Sequence, residues 1–238
     1  MKYKNLKWGV VLSGIFCFLW LYLNRNYLPE LERLGIKGLM YLTSGYAGYN
    51  CIISHGSIYT MMFVLFLQDV LHNDSVQSLI RMKRRTYISL LYKDIMVTAL
   101  GYALVFEGIM LTFTILFESK AMVYVSVFLI GIGILFVYVT LYYIFVGSLF
   151  VLLKLTMTSN SRAIVGAIVI SVALFCLSRF WHIWTPVSVM DVFDLLFTGK
   201  LYLEEVCINV FSILILIIAT YLITLYLFKE KDVLNEEK

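Results

Sequence analysis

The chain has 238 residues, of which 61% are hydrophobic and 14% are charged, and its net charge is +4 at pH 7. A soluble domain carries about 25% charged and 45–50% apolar residues, so this composition excludes a water-soluble fold and favours an integral membrane protein. The positive charges are divided among short segments between apolar runs, which excludes the continuous basic face of a nucleic-acid-binding protein. Because each membrane span takes about 20 residues, little length remains for a soluble catalytic domain.

Six apolar runs predict an all-α integral membrane protein with six transmembrane helices. The predicted spans are about residues 8–23, 51–71, 95–117, 122–153, 163–181 and 203–228. The first run follows three lysines, as in a signal peptide, but no small-residue cleavage site comes after it, and we interpret it as a retained span. The fourth run is long enough to tilt or to project beyond the bilayer.

The basic residues lie mainly in alternate segments between the spans. With both termini inside, thirteen of the 19 Lys and Arg residues are on the inner side, and the other six are Arg25, Arg33, Lys37, Lys120, Arg179 and Lys200. Because cytoplasmic loops carry the excess of Lys and Arg, this pattern predicts that both termini are cytoplasmic. We expect a multi-pass protein of the plasma membrane, in a bacterial cell.

The outer segment between the first two spans is longer than a simple turn. Its leucines suggest a helix lying at the membrane interface, at Leu28, Leu31, Leu34, Leu39 and Leu42. His55, at the head of the second span, is also expected at the interface.

The inner segment between the second and third spans, about residues 73–94, combines apolar residues at helical spacing with a basic cluster. The apolar positions are Val76, Leu79, Ile80, Tyr87, Leu90 and Leu91, and the basic cluster is Arg81, Lys83, Arg84 and Arg85. The spacing predicts a short amphipathic cytoplasmic helix. Such a helix could lie on anionic lipid, set the topology or dock a cytoplasmic partner.

Glu107 lies in the middle of the third span, where a carboxylate is costly and by default functional. It could carry protons, balance a cationic substrate, or lock two helices together through hydrogen bonds. Asn209, in the sixth span, is a second polar residue within the membrane, and a hydrogen bond between helices is the commoner role of such a residue.

The outer segment before the last span, about residues 182–202, is apolar but interrupted by Pro186 and Gly199, and it carries Asp191 and Asp194. It is too short and too broken to cross the membrane. We expect a re-entrant segment, formed by two short helices that enter the outer leaflet and return, since such backbone is tolerated where protein buries it.

Motifs for enzymatic chemistry are absent from the sequence. There is no Walker A pattern, no GxSxG nucleophile motif and no HExxH zinc motif. The four cysteines are scattered and form no CxxC pair. The sequence therefore predicts neither an enzyme nor a metal site, and no cofactor bound by the chain itself.

The six spans, the basic segment SLIRMKRRTYISLLYKDI and the outer segment WHIWTPVSVMDVFDLL together resemble the membrane subunit of ATP-binding-cassette exporters of the type-2 permease class. The chain looks most like the small permeases of Gram-positive peptide or bacteriocin export and immunity systems. The resemblance is one of layout and covers most of the chain. One departure is that only about seven residues precede the first span, whereas the family often has an interface helix there.

The resemblance implies a separate ATPase subunit that holds ATP and Mg, and a homodimer or heterodimer of permeases in the bilayer. It implies an ATPase-coupling surface at Leu79, Arg81, Lys83, Arg84, Arg85 and Tyr87. We assign Glu107 and Asn209 to the cargo path or its gate. The candidate site residues of the outer segment are Trp184, Pro186, Asp191 and Asp194.

Other functions remain open on the sequence alone. A six-helix substrate-binding subunit of a vitamin uptake system would favour polar and aromatic residues near the outer surface, such as His182, Trp184, Asp191 and Asp194. A membrane immunity protein could bind a toxin without transport. A proton-coupled carrier would rest on Glu107 alone, without an inverted repeat.

Overall fold

The computed structural model describes residues 2–30, 36–46, 48–71, 84–117, 125–157 and 159–230. Helical segments dominate these residues, and no strand occurs among them. The prediction of an all-α fold is therefore confirmed.

The helices are α1 (Lys2–Asn24), α2 (Ile36–Thr43), α3 (Ile52–Ser54), α4 (Thr60–Leu71), α5 (Arg84–Phe117), α6 (Val125–Thr156), α7 (Asn160–Trp181), α8 (Val192–Phe197) and α9 (Leu203–Glu230). Short 3₁₀ segments occur at Leu28–Glu30 and Ser188–Asp191. A π-helical segment, His55–Tyr59, connects α3 to α4.

Five of these helices, α1, α5, α6, α7 and α9, are long and apolar enough to cross a membrane. The chain is therefore a membrane-embedded helical protein. The elements α3, His55–Tyr59 and α4 follow one another without a break over residues 52–71, which coincides with the predicted second span. At about 1.5 Å per residue, a run of this length is comparable with the hydrocarbon core of a bilayer.

Helix α5 begins at Arg84, inside the segment expected to form a separate cytoplasmic helix. Ile88, Leu91 and Tyr92 are buried, so the amphipathic pattern over residues 84–94 is the packing face of the first turns of α5. A helix that packs on its neighbours and one that lies on lipid have the same spacing of apolar residues. Residues 73–83 lie outside the described part of the chain.

Helix α6 occupies the centre of the bundle. It packs on α4, α5, α7 and α9. In its most apolar stretch of 18 residues, 50% of the residues are buried, whereas the corresponding share in α9 is 11%. Helices α7 and α9 expose large apolar side chains such as Val169, Phe180 and Ile215, as expected of helices that face lipid.

One end of the bundle is closed by a layer that we call the cap, made of residues 36–46, 48–51 and 182–202. Helix α8 packs between α2 and α6. Leu39 and Leu42 of α2 are buried, as are Met190 and Phe193 of the later segment. The leucines of α2 thus contact protein and do not face lipid, because α8 covers them. Leu31 and Leu34 lie outside the described residues.

Candidate functional site: a polar centre beneath the cap

The π-helical segment His55–Tyr59 draws hydroxyl groups from the surrounding helices. The Thr60 hydroxyl donates to the carbonyl of His55 at 2.6 Å, and the Tyr102 hydroxyl donates to the carbonyl of Tyr59 at 2.8 Å. A π-helical turn disturbs the regular hydrogen-bond ladder, and π-helical turns occur frequently at functional sites. Within a membrane such carbonyls need partners from the protein, and these hydroxyl groups supply them.

His55 lies at the centre of this region and is fully buried. Its Nε2 atom is 3.1 Å from Asn50 Oδ1, and its Nδ1 atom is 3.2 Å from the Tyr143 hydroxyl. Since the Asn50 side-chain nitrogen donates to the Met190 carbonyl at 2.9 Å, Oδ1 is left as the acceptor for the imidazole. The network therefore places a proton on Nε2, and the Tyr143 hydroxyl can donate to or accept from Nδ1. His55 was expected at the interface; the structure buries it inside the protein, where partners from α6 and the cap satisfy both ring nitrogens.

A second set of hydroxyl groups joins the π-helical segment to α6 and α7. The Thr60 hydroxyl lies 3.2 Å from the Tyr142 hydroxyl and 3.1 Å from the Ser171 hydroxyl, and Tyr142 and Ser171 also hydrogen-bond to each other. Aromatic rings surround this centre, including Phe106, which stacks on Tyr49 with ring centroids 4.5 Å apart. These contacts fix three helices against one another.

The sequence predictions missed this polar centre. Its members come from residues 50–60 and from α6 and α7, and they are Asn50, His55, Thr60, Tyr142, Tyr143 and Ser171. The concentration of Ser, His and Thr at the head of the second span was a signal for it, since polar residues at membrane depth require partners.

Glu107 is buried, with 4% of its surface exposed, and it lies near enough to Tyr49 to interact with it electrostatically. Neither carboxyl oxygen has a hydrogen-bond partner among the described residues. The same holds for Trp20 Nε1 and the Asn24 side chain on α1, and for the Thr114 hydroxyl on α5. A hydrogen-bonded lock between helices is thus not formed by Glu107 in this conformation.

Asn209 lies at the cap and bonds two other elements. Its Oδ1 atom accepts from the indole nitrogen of Trp184 at 2.8 Å, and its Nδ2 atom lies 3.5 Å from the Tyr138 hydroxyl. Asn209 therefore ties the loop after α7 to α9 and α6. Glu107 and Asn209 were predicted together as the cargo path, but no hydrogen bond joins them, since neither Glu107 carboxyl oxygen has a hydrogen-bond partner among the described residues.

Asp194 holds the two parts of the cap together. Its carboxylate accepts from the Gly45 backbone N–H at 2.8 Å and from the Ser44 hydroxyl at 3.1 Å. Burial raises the pKa of Asp194, and these two hydrogen bonds oppose that rise. Gly45 is required because a Cβ atom there would lie 2.7 Å from the Asp191 Cα atom. Pro186 is buried in the turn where the Ser188 hydroxyl donates to the Thr185 carbonyl.

We expect Asp194→Ala to loosen the cap, because the Gly45 N–H and the Ser44 hydroxyl lose their acceptor. The free energy of unfolding of the cap should fall by about 1–3 kcal/mol. Hydrogen exchange, followed by mass spectrometry, should accelerate over residues 44–46 and 188–197. Asp191→Ala is the control, since the Asp191 carboxylate accepts no side-chain hydrogen bond from the described residues. Unchanged exchange in Asp194→Ala would contradict this role.

A cavity of about 540 Å³ opens at the edge of the cap, between residues 45–46, residues 51–53, the last turns of α7 and the loop that follows. Arg179, His182, Trp184 and Asp191 line it. The Arg179 guanidinium lies over the Tyr46 ring, 5.3 Å from its centroid. Burial raises the pKa of Asp191 to about 6, and the nearby carboxylates of Asp194 and Glu205 add to that rise.

The predicted coupling surface is described only in part. Leu79, Arg81 and Lys83 lie outside the described residues, and Arg84 and Arg85 begin α5 with side chains that are not described. Tyr87 stacks on Phe228 of α9, with ring centroids 5.7 Å apart. Tyr87 therefore anchors the start of α5 to the end of α9.

Within the described ranges, no group of three or more His, Cys, Asp or Glu residues could hold a metal ion. Comparisons of the chain with protein-family models, with curated proteins and with solved structures found no match. The functional interpretation therefore rests on the arrangement of the residues themselves.

Proposed function

We propose that the chain is the permease subunit of an ATP-driven exporter of the type-2 ATP-binding-cassette class. It moves an amphipathic peptide, lipid-like or toxic cargo out of the cell, and a separate ATPase subunit binds ATP and Mg. One observation carries the proposal. The segment before the last long helix is part of the cap, which closes one end of a helical membrane bundle. The basic segment connects α4 to α5 at the ends of these helices that lie away from the cap.

The proposed topology has six spans, formed by α1, residues 52–71, α5, α6, α7 and α9. Two contacts support it. The indole nitrogen of Trp8 donates to Asp69 at 2.6 Å, and Tyr87 stacks on Phe228. These contacts gather the start of α1, the end of α4, the start of α5 and the end of α9 at one end of the bundle. The excess of basic residues assigns that end to the cytoplasm.

This topology predicts which positions a membrane-impermeant thiol reagent can reach. After replacement of the four native cysteines, Ser78→Cys should react only in permeabilised cells, and Lys200→Cys should react in intact cells. Labelling is read as a mass shift on a gel. Reaction of both positions from the same side would contradict the six-span arrangement.

The shape of α5 suggests how ATPase motion reaches the bundle. Its 34 residues run from Arg84 to Phe117 without interruption, a length of about 50 Å. A displacement at its basic end is therefore transmitted as a rigid-body movement past Glu107 towards the cap. In the proposed dimer this movement opens the path between two permeases. Glu107 and Asn209 are assigned to that path or its gate. The Glu107 carboxyl supports the assignment because it has no hydrogen-bond partner among the described residues.

Co-purification from native membranes in mild detergent, followed by mass spectrometry, tests the function. The wild-type chain should bring down a roughly stoichiometric protein with a Walker A motif. The inner variant changes Arg81, Lys83, Arg84 and Arg85 to Ala, and the matched outer variant changes Arg25, Arg33, Lys37 and Lys200 to Ala. The ATPase should be lost from the inner variant and kept by the outer one. No ATPase in any sample would exclude the permease and favour a non-transporting immunity protein.

The cavity beside the cap favours one second candidate, a substrate-binding subunit of an uptake system. Arg179, Trp184 and Asp191 supply a cation, an aromatic ring and an anion around one space. Such a subunit would retain a water-soluble vitamin-like ligand through purification and would take it up into cells. Export of cargo from preloaded cells, in the presence of the ATPase, distinguishes the two functions.

A further inference from the structure

We propose that the cavity at the edge of the cap binds the head group of a zwitterionic phospholipid, with Arg179 at the phosphate and Asp191 at the ammonium group. This site belongs to the permease chain itself. Its existence does not depend on an ATPase partner.

The cavity has the size of a ligand site. Its volume of about 540 Å³ falls within the range of about 300–1,000 Å³ that is usual for small-molecule sites. Gly45 and Tyr46 form one wall, Phe175 and Arg179 of α7 form a second, and Trp184 and Asp191 form a third.

The two charged side chains on these walls have no ionic partner. Within the described part of the chain, the only interaction of the Arg179 guanidinium is with the Tyr46 ring. The Asp191 carboxylate is hydrogen-bonded only to its own backbone N–H. Arg179 is exposed and Asp191 is partly buried. A partly buried carboxylate without a partner is costly, and a ligand that carries both a cation and an anion would pair with both Asp191 and Arg179. A guanidinium fits two phosphate oxygens at once, which favours phosphate as the anion.

The aromatic rings and the imidazole on the cavity wall can contact the same head group. The rings of Tyr46 and Trp184 are 58% and 41% exposed, and such rings attract an ammonium group. His182 ends α7 with a φ of 52°, a left-handed conformation that usually selects Gly at a helix end. Its imidazole lies on the cavity wall beside Arg179, where it can add a second donor for phosphate.

The surroundings of the cavity favour a lipid over a soluble zwitterion. Arg179 lies in the last turn of a membrane-length helix, where the proposed topology places the lipid head groups. Ile53, Phe175 and Ile183 line the cavity, and Phe180 and Trp181 beside it are 69% and 65% exposed. A phospholipid can place its acyl chains along this apolar surface while its head group enters the cavity. A free phosphate or a small zwitterion would leave that surface unused.

The proposal is tested with the purified full chain in detergent, by calorimetric titration at pH 7.5. The probes are dihexanoyl phosphatidylethanolamine and dihexanoyl phosphatidylglycerol, which share chains and phosphate but differ in the ammonium group. The ethanolamine lipid should bind at least tenfold more tightly. Arg179→Gln should weaken both lipids at least tenfold. Asp191→Asn should weaken only the ethanolamine lipid, to the level of the glycerol lipid. Lys200→Gln and Glu204→Gln are matched controls outside the cavity and should bind as wild type does.

The pH dependence separates the two charged groups. Because the pKa of Asp191 is about 6, its carboxylate is ionised at pH 7.5 and largely neutral at pH 5. The charged and titratable groups around it are Tyr46, Tyr138, Arg179, His182, Asp194 and Glu205. Binding of the ethanolamine lipid should weaken about tenfold between pH 7.5 and pH 5 in the wild type, relative to Asp191→Asn.

Equal affinity of the wild type for the two lipids, or unchanged ethanolamine-lipid binding by Asp191→Asn, would overturn the proposal. Equally tight binding of a zwitterionic peptide that lacks phosphate would also overturn it. If Arg179→Gln fails to fold, the wild-type head-group comparison and Asp191→Asn still decide the result. Loss of the ATPase from the pull-down would leave these affinities unchanged, so the two proposals fail separately.

Discussion

Glu107→Met is expected to make the protein more stable. The buried carboxyl has no hydrogen-bond partner among the described residues, and Met fills a similar volume without polar oxygens. Removing an unsatisfied buried polar group should contribute about 1–3 kcal/mol. For a chain of this size the melting temperature should rise by about 2–12 °C, measured by thermal unfolding in detergent.

The control for Glu107→Met is Glu204→Met, because Glu204 is exposed at the start of α9. Its melting temperature should stay close to that of the wild type. A clear fall in the melting temperature of Glu107→Met would contradict the structure, since it would mean that Glu107 stabilises the fold through a partner. A rise would indicate that the carboxyl is retained for a function outside this conformation, as expected of a cargo path or gate.

His55→Ala should make the protein less stable, and by more than Glu107→Met makes it more stable. The imidazole bridges Asn50 and Tyr143, so its removal leaves the Asn50 Oδ1 atom without its partner, takes one hydrogen bond from the Tyr143 hydroxyl and opens a cavity beneath the cap. The free energy of unfolding should fall by about 3–5 kcal/mol. The melting temperature should fall by about 6–20 °C.

His182→Ala is the matched control for His55→Ala, since His182 is exposed and bridges no described residues. It should unfold within a few degrees of the wild type. Similar melting temperatures for His55→Ala and His182→Ala would show that the polar centre does not hold the cap to the bundle. The double variant His55→Ala/Tyr143→Phe should lose less than the sum of the two single changes, because both remove the same hydrogen bond.

The long helices were predicted well because apolar runs of this length admit few other structures. The last span was predicted at residues 203–228 and is observed as Leu203–Glu230. The fifth was predicted at residues 163–181 and is observed as Asn160–Trp181. It begins three residues earlier because Ser159 caps it, with a side chain that accepts from the Arg162 backbone N–H. The breaks at Pro186 and Gly199 correctly indicated short elements in the segment before the last helix.

The polar contacts could not be predicted because they join residues far apart in the chain. Asp194 binds Gly45, and His55 binds Tyr143, and no local pattern connects either pair. Burial of His55 was missed for this reason, since the partners that satisfy its nitrogens come from α6 and the cap. Glu107 was predicted at membrane depth from its position in the span. Its lack of a partner, however, depends on which side chains of the neighbouring helices face it.

Site-specific crosslinking tests the central claim, that the basic segment after the second span contacts an ATPase in the cytoplasm. A photo-crosslinking amino acid is placed at position 78 or, as the control, at position 200, and cells are irradiated before the membranes are solubilised. Position 78 should give a single adduct whose mass spectrum contains a Walker A protein, and position 200 should not. Absence of that adduct at position 78, or equal capture from position 200, would contradict an ATPase-driven permease coupled through this segment.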